Sequence, residues 1–283
     1  MRLSSIRIFR WCLALALLAI QLSDVSAAQA VSEKIHDTGA EKAIPSGFTS
    51  EELAHLLNTM VWVDGGPFIM GSNSANSSNM ERPAHRVTVS GFYLAKTEVT
   101  QALFKRVMGW NYSYFPCESC PINNISWMNM QLFIERLNLL SGKNFRLPTE
   151  AEWEYGAKGG QKSEGYRYSG SNDISEVAWY SDNAERRSHP VGLKKPNELG
   201  IYDMTGNLWE FCQDDISRTA YKQHARIDPV VISNPDYKVT SMKVIRGGAY
   251  EFSESESEVF KRDGATNNVR MADIGFRLAM SKD

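Results

Sequence analysis

The chain has 283 residues, with 31 Lys+Arg against 33 Asp+Glu and a formal charge of −2. That balance excludes electrostatic attraction to nucleic acid as a default, because no surplus of cations exists to displace counterions from phosphates. Hydrophobic residues make up 42 % of the chain, with 7 Trp, 11 Tyr and 12 Phe. This excludes whole-chain disorder and leaves material for one large domain or two small ones.

Residues 1–30 read as a secretory signal peptide. Arg2, Arg7 and Arg10 form a basic opening, an uncharged run follows from Trp11 to Ile20, and Ala28-Gln29-Ala30 supplies small residues for cleavage near Ala30. The apolar run is far short of the ~20 residues that span a bilayer, and no later stretch comes closer, so no membrane span is expected. Cys12 stands at the start of the run, not at its cleavage end, which argues against a lipid anchor. The expected product is periplasmic or secreted, with a polar leader over residues 31–48 and a folded part over 49–283.

Thr49 with Glu52 makes a capping box, and Leu53, Leu56, Leu57 and Met60 follow at helical spacing, predicting a helix over about 50–60. Val61–Val63 and Phe68–Met70 flank Asp64-Gly65-Gly66-Pro67 and read as a hairpin. Ser72 to Asn79 is nearly all Ser, Asn and Ala and reads as a mobile loop. A second strand pair, Arg86–Val89 and Phe92–Ala95, flanks Ser90-Gly91. Thr100 caps a helix to about Met108, and Ser126 caps another to about Leu140 with an apolar stripe of Trp127, Met130, Phe133, Ile134 and Leu137. Thr149 and Glu152 form a second capping box, opening a helix to about Ala157. From Gly159 onward the chain is rich in Gly, Ser, Asn and Pro, and metal-clipped loops are the expected means of holding so long an irregular stretch.

Once Cys12 leaves with the signal, Cys117, Cys120 and Cys212 remain. Cys117 and Cys120 lie between Pro116 and Pro121 in a loop with no βαβ pattern around it, so a local disulfide is favoured over redox work. Cys212, beside Phe211 and Trp209, reads as a buried free thiol. The five histidines, His36, His55, His85, His189 and His224, are scattered, with no HExxH. No phosphate loop, nucleotide fingerprint or GxSxG elbow occurs.

Four segments resemble the formylglycine-generating enzyme family, also called the sulfatase-modifying factor family. They are Glu81-Arg82-Pro83 with His85-Arg86-Val87; Phe145 to Tyr155; Asn197 to Phe211; and Val244 to Tyr250 with Ile274 to Ala279. The resemblance implies an α+β fold, a loop-rich single domain of C-type-lectin-like type. It also implies a structural calcium held by the side chains of Asp203 and Glu210 and the carbonyls of Gly206 and Leu208, a set of oxygens that suits this hard cation. A bare turn with both acids in ion pairs is the other reading.

Members that make formylglycine bind copper(I) through two cysteines after the Arg-Gly-Gly turn, since soft thiolates suit that ion. Phe252 and Ser257 hold those places here, so copper is not expected and formylglycine generation ranks last among the functions considered. In their stead runs Tyr250-Glu-Phe-Ser-Glu-Ser-Glu-Ser-Glu258. If this segment is extended, Glu254, Glu256 and Glu258 project on one face, which is solvated, binds a cation or basic substrate, or holds one acid protonated with a raised pKa as a general acid or base. Glu251, Glu254, Glu256 and Glu258 are therefore the catalytic candidates, with Tyr250 and Arg246 orienting substrate. One exported branch of the family helps convert the dihydro form of a pyoverdine chromophore to its oxidised form. The resemblance to it implies oxidation or tautomerisation of an exported siderophore precursor or small peptide. The alternative is a non-catalytic binding or scaffold module of the cell envelope.

Overall fold

A computed structural model describes residues 47–233 and 240–282, so the segment read as a signal peptide and nearly all of the leader lie outside the described residues. Helices and strands are mixed, as the α+β expectation requires. Four helices begin where a side-chain oxygen can take up the free N–H groups of a first turn. They are α1 (Ser50–Asn58) after Thr49, α2 (Gln101–Met108) after Thr100, α3 (Trp127–Ser141) after Ser126, and α4 (Glu150–Ala157) after Thr149. Gly109 and Gly142 end α2 and α3 in the left-handed conformation that a glycine adopts without a Cβ penalty. Short helices α5 (Ile174–Val177) and α6 (Ala220–Gln223) follow.

Strands β1 (Met60–Val63), β2 (Gly66–Met70), β3 (His85–Val89) and β4 (Phe92–Ala95) lie where the residues place them, but they pair differently. The two expected hairpins do not form: β1 pairs with β4 and β2 with β3, in one unbroken register from Met60↔Ala95 to Met70↔His85. The four segments are thus two long strands that bend together. Gly65 and Gly91 meet at the bend, where a Cβ on Gly65 would lie 2.5 Å from the Val89 carbonyl and one on Gly91 2.5 Å from the Trp62 ring. The turn residues mark this close approach instead of a chain reversal. The reversal is the loop over 71–84, whose Ser and Asn side chains bond locally as their chemistry predicts. It is also held from outside, by Lys261 Nζ on the Asn76 carbonyl at 2.6 Å.

The first half of this hairpin joins β10 (Ala279–Ser281) and β5 (Phe145–Arg146) in a sheet ordered β1-β4-β10-β5. A second four-stranded sheet, β8-β7-β6-β9, is built from β6 (Trp209–Asp215), β7 (Met242–Arg246), β8 (Arg262–Thr266) and β9 (Ile274–Gly275). Its β6 and β9 run parallel, with Trp209 opposite Ile274. Phe104, Phe133, Phe211 and Phe276 are buried in one core cluster between α2, α3 and this sheet. Trp153, Tyr155, Met204 and Val244 lie in another under α4.

The clips that hold the irregular stretch are buried amides. Asn197 Nδ2 donates to the Gly156 carbonyl and to Ser169 Oγ, while its Oδ1 accepts from Leu199 and Ile201. Asn207 ties three segments together: its Oδ1 accepts from His189 N–H, and its Nδ2 donates to Glu98 and to the His189 carbonyl. Cys117 and Cys120 form a disulfide, and the loop it closes presents the Glu118 and Cys120 carbonyls to the first N–H groups of α2. Cys212 is free and fully buried, and burial raises its thiol pKa far above the usual range, so it is inert. No helix among the described residues is long and apolar enough to cross a membrane.

Candidate functional site

The sheet β8-β7-β6-β9 ends where three segments meet: the residues before β6, the turn after β7 and the residue before β9. Gly247 and Gly248, at φ +101° and +76°, turn the chain after Arg246 in a way that L side chains resist. A Cβ on Gly248 would lie 2.4 Å from Ser257 Oγ, so the turn and the following loop fold directly onto each other. Tyr250 N–H donates to the Asn207 carbonyl, and Trp209 N–H donates to the Asp273 carbonyl. These two bonds bring Tyr250, Trp209 and Asp273 to one end of the sheet.

Tyr250 is buried against Ala184, Leu208 and Trp179. Its phenol is pushed up to about 12 by burial, with Glu251, Asp273 and Tyr114 adding to the shift and Arg186 opposing it. Asp273 is likewise pushed up by burial and by Glu251, against a hydrogen bond from its own backbone. A phenol, an exposed carboxylate and a buried carboxylate therefore sit within electrostatic reach of one another. Glu185 and Arg186 both adopt positive φ, and this tight turn carries the Arg186 guanidinium to 3.5 Å from Glu251. Behind Tyr250, Trp179 stacks on His189 with centroids 3.9 Å apart, and Lys194 Nζ lies 4.2 Å from the Trp179 ring centroid. Beside the site, the loop after α2 exposes Tyr112, Tyr114 and Phe115.

The acidic segment does not form the expected face. Ser253 and Glu256 cap each other, and Glu254–Glu256 is a turn of 3₁₀ helix, which disperses carboxylates that an extended strand would align. Glu254 and Glu256 are exposed, whereas Glu258 is buried and paired with Arg167 at 2.5 Å. Of the four glutamates only Glu251 lies at the site. Arg246 is also misplaced by the sequence reading: it is fully buried, bonded to Glu154 and to the Phe260 and Lys261 carbonyls, and has no surface to offer a substrate. Phe252 packs edge-on against Trp209 with centroids 5.4 Å apart, and Ser257 Oγ donates to the Ser253 carbonyl. An aromatic wedge and a bonded hydroxyl thus stand at the two positions where the sequence resemblance led to the expectation of no copper.

Beneath the site lies a buried knot of three acids and one base. Arg277 binds both oxygens of Glu210 at 2.6 Å, and Trp153 Nε1 donates to one of them at 2.8 Å. Asp203 takes a bond from Gly192 N–H and Glu98 one from Asn207, but Asp203 Oδ1 and Glu98 Oε2 are buried without hydrogen-bond partners. Burial pushes Asp203 up to about 6, with Glu210 adding to the shift and Gly192, Arg277 and Glu98 opposing it, and burial with Asp203 and Glu210 raises Glu98 well above the carboxylate range against Arg277. Two open carboxylate oxygens in a site with excess negative charge fit a hard cation. Glu210, engaged by Arg277 and Trp153, does not fit as a ligand without losing those bonds. Among the described residues no group of three or more His, Cys, Asp or Glu side chains converges with metal-holding geometry.

The sulfatase-modifying factor enzyme 1-like domain model matches residues 47–282. The chain belongs to this family. It is 32 % identical over 273 residues to a protein named chaperone protein LppX from Paenibacillus barcinonensis, covering 79 % of this chain and 89 % of that one. Among solved structures it is similar to Treponema denticola variable protein 1, with TM-score 0.71, 28 % identity and coverage of 79 % and 95 %. PvdO from Pseudomonas aeruginosa shares the fold, with TM-score 0.68, 24 % identity and coverage of 79 % and 94 %. Sequence reasoning missed Asp273, Glu98 and Trp179. Asp273 stands immediately before the Ile274 segment that carries the resemblance, which is the one local signal that marked it.

Proposed function

We propose that this chain is an exported maturation factor that holds an aromatic ring borne by a siderophore precursor or small peptide at the Tyr250 face and moves protons on it. The observation that carries this reading is the grouping of Tyr250, Glu251 and Asp273 at the end of the sheet. Asp273, whose pKa is raised, removes a ring proton once ionised; Glu251 and the Tyr250 hydroxyl orient the polar edge of the ring. Tautomerisation needs nothing more. Oxidation of a dihydro chromophore removes two electrons and two protons, and molecular oxygen accepts them as hydrogen peroxide. The experiment is deletion of the gene followed by mass profiling of exported chromophores. A secreted precursor two daltons heavier than the mature product supports oxidation, an isomer of equal mass and altered absorbance supports tautomerisation, and an unchanged profile overturns the proposal.

A second reading, a non-catalytic envelope chaperone, is favoured by the exposed Tyr112, Tyr114 and Phe115 and by the name of the relative from Paenibacillus barcinonensis. Under it, a partner protein aggregates in the deletion strain while chromophores are unchanged.

The family resemblance implies a calcium on Asp203, Glu210 and the Gly206 and Leu208 carbonyls; with Glu210 engaged by Arg277 and Trp153, the side chains that would hold it here are Asp203 and Glu98, whose Oδ1 and Oε2 are buried without hydrogen-bond partners. The ion would neutralise buried carboxylates beside the Arg277–Glu210 pair. Calcium added to chelator-treated protein should raise Tm, and Glu98→Gln should weaken that response at least tenfold in calcium concentration. A Tm that ignores calcium would mean that the acids share a proton instead.

A further inference from the structure

His85 begins β3 and His224 follows α6, 139 residues apart in sequence, yet their Nε2 atoms lie 3.0 Å from each other. Both rings pack against Tyr221, with centroids 4.9 and 5.9 Å from it. The other nitrogen of each ring is already engaged. His85 Nδ1 lies 2.8 Å from the Pro83 carbonyl, and His224 Nδ1 lies 2.7 Å from the Ala225 carbonyl. A carbonyl oxygen can only accept, so both Nδ1 atoms carry the hydrogen. The neutral rings then aim two bare lone pairs at one another, and only a positive centre between them makes the contact attractive.

That centre is a proton or a metal ion. A proton would turn one ring into an imidazolium, which burial of His85 opposes, holding its pKa below the usual value; the charges of His224 and Arg226 oppose it further. The Pro83 carbonyl and the Glu154 carboxylate act the other way, but Glu154 is already paired with Lys158 and Arg246. A neutral imidazole whose Nδ1–H is fixed on a backbone carbonyl is the arrangement that orients histidine metal ligands.

We propose that His85 and His224 bind one divalent transition-metal ion of the nitrogen-preferring class, zinc or copper(II), through their Nε2 atoms, with water completing the shell. Zinc–nitrogen bonds of 2.0–2.1 Å in tetrahedral array place two nitrogens roughly 3.3 Å apart, so the pair opens by only a few tenths of an ångström. The ion would fasten the segment after α6 to the long hairpin at a second point. The first is a short parallel contact in which Thr88 N–H donates to the Arg226 carbonyl and Asp228 N–H donates to that of Thr88. This site is separate from the Tyr250 face and stands whether or not the maturation reading does.

The test uses the full chain without an affinity tag, stripped with chelator and titrated with zinc chloride and copper(II) chloride. A Tm rise of roughly 5 °C at saturating metal is expected, with the ¹⁵N resonances of both Nε2 atoms shifting on binding. His224→Gln, a change at a partly exposed position, should remove the response while leaving the chelated Tm nearly unchanged, and His85→Gln should remove it as well. No metal response in the wild type overturns the proposal, as does an equal response in His224→Gln. So does a protonated Nε2 at pH 7.5 that zinc does not displace, since the pair would then share a proton.

Discussion

Replacing Arg246 by methionine should lower the free energy of unfolding by about 3–5 kcal/mol, the cost of breaking a buried ion pair from one side. Arg246 and Glu154 are both fully buried and in direct contact, and the guanidinium lies 5.3 Å over the Trp153 ring. Burial works against the Glu154 carboxylate, yet Lys158 and Arg246 together hold it below the ordinary range, with Gly71 N–H as a further donor. Methionine would fill the volume but leave the Phe260 and Lys261 carbonyls without their donor. Lysine should rescue little, because a single ammonium cannot reach a carboxylate and two carbonyls in the directions that a planar fork does. Urea unfolding followed by circular dichroism measures the loss. An unchanged midpoint would show that the Arg246–Glu154 pair does not contribute to stability.

The helices were legible because their signals are local. Thr49, Thr100, Ser126 and Thr149 each accept from a backbone N–H three residues on, within reach of any sequence window. The same rule applied at Ser253 and Glu256 would have replaced the extended acidic face with a turn; period-two spacing alone misled. Strand pairing was not legible for a different reason. Asp64-Gly65 and Ser90-Gly91 carry the composition of turns, but glycine serves equally where two backbones touch, and only the partner strand tells the uses apart. The candidate site depends on contacts of the same long-range kind. Asp273 reaches Tyr250 through a parallel β6–β9 pair, and His85 meets His224 across 139 residues. The irregular second half was recognised as needing clips, and the buried Asn197 and Asn207 among them were not foreseen because a buried asparagine leaves no pattern in composition.

Asp273→Asn should leave the fold intact and reduce chromophore maturation by about 10²–10³, within the range usual for loss of a positioned acid/base group. Stability should change by less than about 1 kcal/mol, because the bond that joins β6 to this segment uses the Asp273 carbonyl and asparagine keeps it. The sign of the pH dependence follows from the direction of the shift. A carboxylate acts as a base only when ionised, so with its pKa raised by burial and by Glu251, activity should climb with pH through a limb above the ordinary aspartate range. Glu251→Gln removes one neighbouring negative charge, lowers the Asp273 pKa and should move that limb toward acid, whereas Glu254→Gln and Glu256→Gln, exposed on the 3₁₀ turn, should not. The displacement is a readout that simple loss of structure would not produce. If Asp273→Asn matures chromophore at the wild-type rate, or if all three glutamine variants leave the limb in place, proton transfer at the Tyr250 face is excluded and the exposed aromatic loop becomes the feature that a binding function must explain.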